Sequence, residues 1–427
     1  MSLNSRFYQM ASCFEKYLIR HKIFYLLLGF QFYVCYYFRG QYFKHVLHIN
    51  ESKFAGFSAG ISLLTFFASF FWTRIADRYE IHKSMLLVFA FLSSAAFSAL
   101  SFSGFSAPTC MTLAGLYVLF GMAMPPLADK IILDDLAAKG LSKDLYARQM
   151  VFAIVSYGVV TLGISYFIHL CGYHVIFPFL AIFTALFMVF TFFFMNVPKG
   201  DHCAAKECGR ATSIQIPKGK SNVSLLRHVF NLDYLFFLFV ILANGFSRFF
   251  MSFFLNLYLT ETVSMTPIQS ACSAIFGILL EIFMFTRAKF LLNKVGIYWM
   301  LTLGQLAMVI RLWMYYILPS KVEYLYVFFI VELLKGTNLG FVQPSAVKLS
   351  SMYAPKGLEG TFQGIYFGVF SGLGGFLAGL YANRYLTDSN FKILLYHVSM
   401  IMTIVLLLYI LRYIVYEKFK KLKTIPN

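Results

Sequence analysis

The chain alternates between long apolar runs and short polar connections. Apolar runs fall at 23–43, 55–73, 84–104, 110–133, 149–170 and 175–196, then at 233–259, 268–290, 297–318, 324–348, 361–385 and 392–416. Each is about the length a helix needs to cross the hydrocarbon layer of a bilayer. The pattern predicts an all-α, polytopic membrane protein of twelve transmembrane helices in two six-helix bundles. Residues 1–197 form the expected N-terminal bundle, 198–228 a cytosolic linker, and 229–427 a C-terminal bundle with a basic cytosolic tail. The linker is marked by Gly, Pro and Ser and carries Lys199, Lys206, Arg210, Lys218, Lys220 and Arg227. Connections within each half are short, so consecutive helices are expected to be antiparallel neighbours.

Composition agrees with a lipid environment. Hydrophobic residues make up 59% of the 427 and charged residues only 13%, about half the charged share of a soluble domain. No small-residue cleavage site follows the first run, so that helix is expected to act as the signal anchor. The net charge of +18 would suit a nucleic-acid partner, but the bases lie between apolar runs rather than on one compact face. Their placement sets an orientation instead. With the N-terminus in the cytosol, 25 of the 36 Lys and Arg fall in inside segments and 5 outside. Both termini and the linker are therefore expected on the cytosolic side, with the plasma membrane favoured over an organelle. Asn50-Glu51-Ser52 in the first outside loop fits a glycosylation acceptor.

Ionisable side chains inside apolar runs are costly in lipid and mark a cavity or a partner. Asp129 lies late in the fourth run, Arg248 in the seventh, Glu281 in the eighth and Arg311 in the ninth. Glu332 and Lys335 lie in the tenth, three residues apart and so on one face. The second half thus offers two acids and three bases on four helices. They suit either a static packing network or one whose pairing changes with substrate or proton. The eleventh run carries small residues at Gly364, Gly368, Gly372, Gly375 and Gly379, a spacing that lets two helix backbones approach closely. Tyr33, Tyr36, Tyr37, Phe249, Phe250 and Tyr258 offer rings that would stack on a ligand or, more commonly, simply pack.

No enzyme is expected. The histidines fall in loops, tails or near helix ends, which disfavours an acid–base constellation. Neither a cofactor nor a metal is expected either. His202, Cys203 and Cys208 cluster in the linker but lack a fourth ligand at metal spacing.

The chain resembles the major facilitator superfamily. Thr73-Arg-Ile-Ala-Asp77-Arg78-Tyr-Glu80-Ile-His-Lys83 resembles its conserved loop after the second helix, with both glycines replaced. Phe285-Thr286-Arg287 after the eighth helix echoes Phe71-Trp72-Thr73-Arg74. Within the superfamily the lactose-permease-like branch, which also holds nucleoside–proton symporters, is most similar. Three stretches carry that likeness: Pro126-Leu-Ala-Asp129 with Tyr146-Ala-Arg148, Glu281 with Leu292-Asn293-Lys294-Val-Gly296, and Gly360-Thr-Phe-Gln363-Gly364-Ile-Tyr366-Phe-Gly368. The resemblance implies a cytosolic gate at Asp77, Arg78 and Lys83, and a substrate carboxylate at Asp129. It implies a proton-coupling role for Arg311, and the buried charges Glu281, Glu332, Lys335 and Arg248 are the further candidates for substrate binding or coupling. Two positions depart from the branch. Met150 stands where a sugar-binding arginine is expected, and Asn338 stands where the proton-carrying glutamate is expected. Glu281 or Glu332 is then the candidate proton carrier.

The resulting expectation is a monomeric secondary active transporter. It would move a small polar solute (sugar, nucleoside or organic anion) by alternating access, as a proton symporter or without coupling. The alternatives are an uncoupled facilitator or a transport-inactive solute sensor of the same fold, and less readily a membrane-embedded transferase. The expected partners are the small-molecule substrate, protons and the lipid bilayer, with no nucleic acid.

Overall fold

A computed structural model describes residues 18–102, 106–141, 144–195, 230–355, 359–386 and 391–423. Among them there is no strand. The linker expected at 198–228, with its His202, Cys203 and Cys208, lies outside the described residues. The helices are α1 Ile19–Tyr33, α2 Arg39–His45, α3 Glu51–Tyr79, α4 His82–Ser98, α5 Ala107–Gly121, α6 Met124–Ala138, α7 Asp144–Cys171 and α8 Ile176–Phe194. They continue with α9 Leu232–Glu261, α10 Pro267–Thr286, α11 Ala288–Val295, α12 Ile297–Ile317 and α13 Leu325–Tyr353. Last come α14 Glu359–Phe367, a π-helical turn Gly368–Leu373, α15 Gly374–Tyr385 and α16 Phe391–Lys423.

Among the described residues, ten spans are long and apolar enough to cross a membrane. The first two crossings, α1 with α2 and then α3, bring the fold to its twelve. The structure also subdivides runs that look continuous in sequence. The first run turns at Val34–Phe38 between α1 and α2. The fourth breaks at Met122–Ala123 because Pro125 and Pro126 follow. A proline has no N–H to donate, its ring crowds the preceding turn, and it is welcome only where a helix begins. Asp129 therefore sits one turn past a proline break.

Two compact units emerge: Met1–Ile49 with Phe67–Cys208, and Asn50–Phe66 with Gly209–Asn427. The division falls inside α3. In the first unit α1 packs on α7 and α8, while α4 packs on α5, α6 and α8. Its core includes Phe24, Leu86, Met124, Ile132 and Leu136, all fully buried.

In the second unit α13 is central, packed on both α10 and α12, while α9 packs on α15 and α16. Glycines set how closely these helices approach. A Cβ on Gly336 of α13 would collide with the Gly277 carbonyl oxygen and lie 2.6 Å from the Glu281 amide of α10. A Cβ on Gly374 would lie 2.9 Å from the Gly245 Cα of α9. Gly375 and Gly379 would meet Ser62 and Ala59 in the first half of α3 at 2.7 and 2.5 Å. Gly368 and Gly372 face Phe66, and Gly364 meets nothing within 4 Å. The small-residue ladder expected in the eleventh run is thus a packing surface, with Gly364 standing outside it.

Candidate functional site

The chemistry of the second unit starts from one crossing. Arg311 of α12 and Glu332 of α13 are both buried, 3% and 2% exposed. Glu332 Oε1 accepts from Arg311 Nη2 at 2.8 Å, Arg311 Nε at 3.2 Å and Tyr315 Oη at 2.7 Å. Tyr315 is one turn beyond Arg311, so a single helix face of α12 supplies all three donors. The guanidinium also lies 5.9 Å from the Tyr315 ring centroid. Tyr315 in turn stacks on Phe328 at 5.5 Å. Two opposite charges taken out of water require this degree of pairing, because either one alone in the low-dielectric interior is costly.

Lys335 follows Glu332 by three residues and shares its face. It lies within electrostatic reach of Glu332, Glu281, Arg311 and Arg248. The close approach at Gly277 and Gly336 is what brings Glu281 of α10 to this position. A Cβ on Gly277 would lie 3.1 Å from Lys335 Cδ. Arg248 arrives from α9, where Tyr366 of α14 lies within its field. The structure therefore gathers Arg248, Glu281, Arg311, Glu332 and Lys335 from four helices into one neighbourhood.

Asn338, at the position where the resemblance places a proton carrier, is buried and structural. Its Nδ2 donates to the Gly304 carbonyl at 2.9 Å and reaches Asn244 Oδ1 at 3.5 Å. Asn244 donates to the Val240 carbonyl at 2.9 Å. An amide at this point ties α13 to α12 and α9.

In the first unit Asp129 Oδ1 accepts from Tyr25 Oη of α1 at 2.7 Å. Sequence reasoning missed a second buried group nearby. His21 Nε2 and Asp135 Oδ2 are 2.5 Å apart, and Lys139 Nζ donates to the same oxygen at 2.7 Å. His21 is 1% exposed. The available signal was Asp134-Asp135 at the end of an apolar run with Lys139 one turn on; the partner from α1 was not visible. Tyr33 and Tyr36, considered as stacking platforms, pack on each other and on Tyr157 with centroids 4.9–6.0 Å apart. Phe250 and Tyr258 likewise stack on Phe391.

Of the expected gate residues, Arg78 is exposed and lies over the Tyr79 ring at 5.7 Å. Lys83 Nζ donates to the Phe192 carbonyl at 3.0 Å, tying the start of α4 to the end of α8. The side chains of Asp77, Tyr146 and Arg148 lie outside the described residues. Met150 is 43% exposed. Asn50, of the acceptor pattern, caps α3 by taking the Lys53 amide at 2.9 Å. Ser52 Oγ donates to the Asn383 carbonyl at 2.7 Å. Among the described residues no group of His, Cys, Asp and Glu is arranged to hold a metal.

Residues 18–390 match the MFS_1 like family. No curated protein matches the chain by sequence. Among solved structures, the nucleoside transporter NupG is similar with a TM-score of 0.76 at 12% identity, covering 92% of this chain and 98% of that one. A POT peptide transporter in complex with alafosfalin gives 0.70 at 13%, covering 92% and 93%. A POT family transporter in complex with 5-aminolevulinic acid gives 0.64 at 15%, covering 92% and 95%. At such identities the likeness speaks for the fold, and the family match covers most of the sequence. This chain belongs to the MFS_1 like family and is a multi-pass membrane protein of the major facilitator fold.

Proposed function

We propose that the protein carries a small organic anion, with Lys335 and Arg248 as its anion-binding cations and Glu281 as the carboxylate that couples transport to a proton. The observation that carries this reading is the charge balance around Lys335. Glu332 is engaged by Arg311 and Tyr315, so its charge is already matched. Arg248 and Lys335 then share a neighbourhood with one further acid, Glu281. That leaves an excess of positive charge, which favours a solute bringing a carboxylate or phosphate. Asp129, which accepts from Tyr25, is the candidate substrate carboxylate of the first unit. The similar structures are named for nucleosides, peptides and 5-aminolevulinic acid, which is consistent with a small polar cargo. The halves 1–197 and 229–427, joined through 198–228, are the bodies that alternate access to that cargo. Asp77, Arg78 and Lys83 form the cytosolic gate, in a monomer whose termini both face the cytosol of the plasma membrane.

The test is uptake into proteoliposomes of matched solute pairs, such as a nucleoside and its monophosphate, or a sugar acid and its amide. The charged member should be favoured at least tenfold, and Lys335→Gln should erase that preference. Equal uptake of both members of every pair would remove the anion assignment. A second reading, an uncoupled facilitator, rests on Asn338: an amide held to the Gly304 carbonyl carries no proton. Glu281→Gln separates the two readings. Under the coupled mechanism it abolishes accumulation driven by a pH gradient but leaves solute exchange. Under the facilitator reading even the wild type shows no pH-driven accumulation.

A further inference from the structure

A groove lies between α9, α15 and α16 of the second unit. It is apolar along its length, walled by Phe239, Leu242 and Ala243 of α9, Leu377 and Leu380 of α15, and Val405 of α16. Its volume is about 550 Å³, within the range of roughly 300–1,000 Å³ typical of ligand sites. From Leu377 to Tyr385 it extends about 12 Å along the helix. Water gains nothing in such a space, and leaving it empty forfeits the dispersion contacts of its walls. An acyl chain is the apolar occupant that a bilayer supplies.

One end of the groove differs. Arg384 lies there, in the last turn of α15. It is exposed, lies over the Tyr385 ring at 6.0 Å and has no acidic partner among the described residues. Tyr381 Oη is bonded to His397 Nδ1 at 2.8 Å beside it. The preceding residue, Asn383, is turned to Ser52, about 100° around the helix from Arg384. This cation therefore serves neither the buried charge cluster nor the packing against α3. A base and tyrosines at the end of a membrane span, with an apolar channel leading away from them into the span, match the two ends of a phospholipid.

We infer that this groove is a phospholipid site, with one acyl chain along α9, α15 and α16 and an anionic phosphate head on Arg384. It clamps α15 to α9 and α16 from the lipid side.

The test uses the full chain purified in detergent and stripped of lipid. Native mass spectrometry follows addition of phosphatidylglycerol or phosphatidylcholine. The wild type should retain one phosphatidylglycerol and prefer it to phosphatidylcholine. Arg384→Gln, at an exposed position, should cut that preference about fivefold. Leu380→Trp, which fills the groove from its open side, should lower retention of both lipids. In parallel, phosphatidylglycerol should raise the melting temperature of the wild type, and inorganic phosphate should not. Equal retention by wild type and both variants overturns the site. Protection by inorganic phosphate alone overturns the lipid and leaves only an anion contact. Appearance of a dimer in place of bound lipid, lost in Leu380→Trp, overturns it in favour of a second copy.

Discussion

At the scale of single residues, Arg311 and Glu332 show why buried charge has to be read as pairs. Removing one partner strands the other in the interior, at a cost of about 3–5 kcal/mol. Arg311→Met or Glu332→Gln alone should therefore lower the melting temperature in detergent markedly. The double variant Arg311→Met with Glu332→Leu should recover most of it, since an apolar pair of similar volume is tolerated. Uptake by that double variant then separates two roles. A packing pair would transport once stability returns, whereas a pair that opens during the cycle would remain inactive. The sequence showed both charges inside apolar runs, which was enough to nominate them. It did not show that Tyr315 completes the set, or that His21 reaches Asp135 across more than a hundred residues. A hydroxyl or imidazole near a helix end is cheap to place almost anywhere, so its role appears only when its partner is brought beside it.

At the scale of helices, what positions the charges is backbone contact rather than side-chain reach. Gly336 lies against the Gly277 carbonyl and the Glu281 amide, so α10 and α13 cross without an intervening Cβ. Gly336→Ala should push the two apart, cost about 1–3 kcal/mol by overpacking, and reduce uptake by drawing Glu281 away from Lys335. Gly364→Ala, where a Cβ meets nothing within 4 Å, should leave melting and uptake unchanged. Equal effects from both substitutions would mean that helix propensity, not packing, is being measured. The π-helical turn Gly368–Leu373 lies between α14 and α15 and presses Phe370 on Gly245. Such turns re-aim a helix face by one residue. The glycine spacing was plain in the sequence. Which glycines bear on a neighbour, and on which one, depended on the helix being locally underwound to i→i+5 hydrogen bonding, for which no residue type codes by itself.

At the scale of the whole molecule, two predictions concern topology and movement. The excess of Lys and Arg in alternate loops predicts that an epitope at the C-terminus is reached by antibody only after the cells are made permeable. Labelling of intact cells would reverse the orientation. The contact of Ser52 with Asn383 lies within the second unit although Ser52 follows the first crossing. The paired variant Ser52→Cys with Asn383→Cys should form a disulfide under oxidation. If the halves rock, that bond should stop uptake until a reductant is added. Full uptake by the cross-linked protein would show that this contact persists through the cycle.

The order and number of membrane crossings were decided by the sequence itself. Each depends on the mean character of about twenty consecutive residues, and lipid imposes that constraint locally. The tertiary structure alone decided which charges meet, that Asn338 ties α13 to α12 and α9, and that the start of α3 packs with the later half. These outcomes depend on helix rotation and on close approach between segments far apart in the chain. Single-ångström differences between neighbouring backbones control both, and no local pattern encodes them.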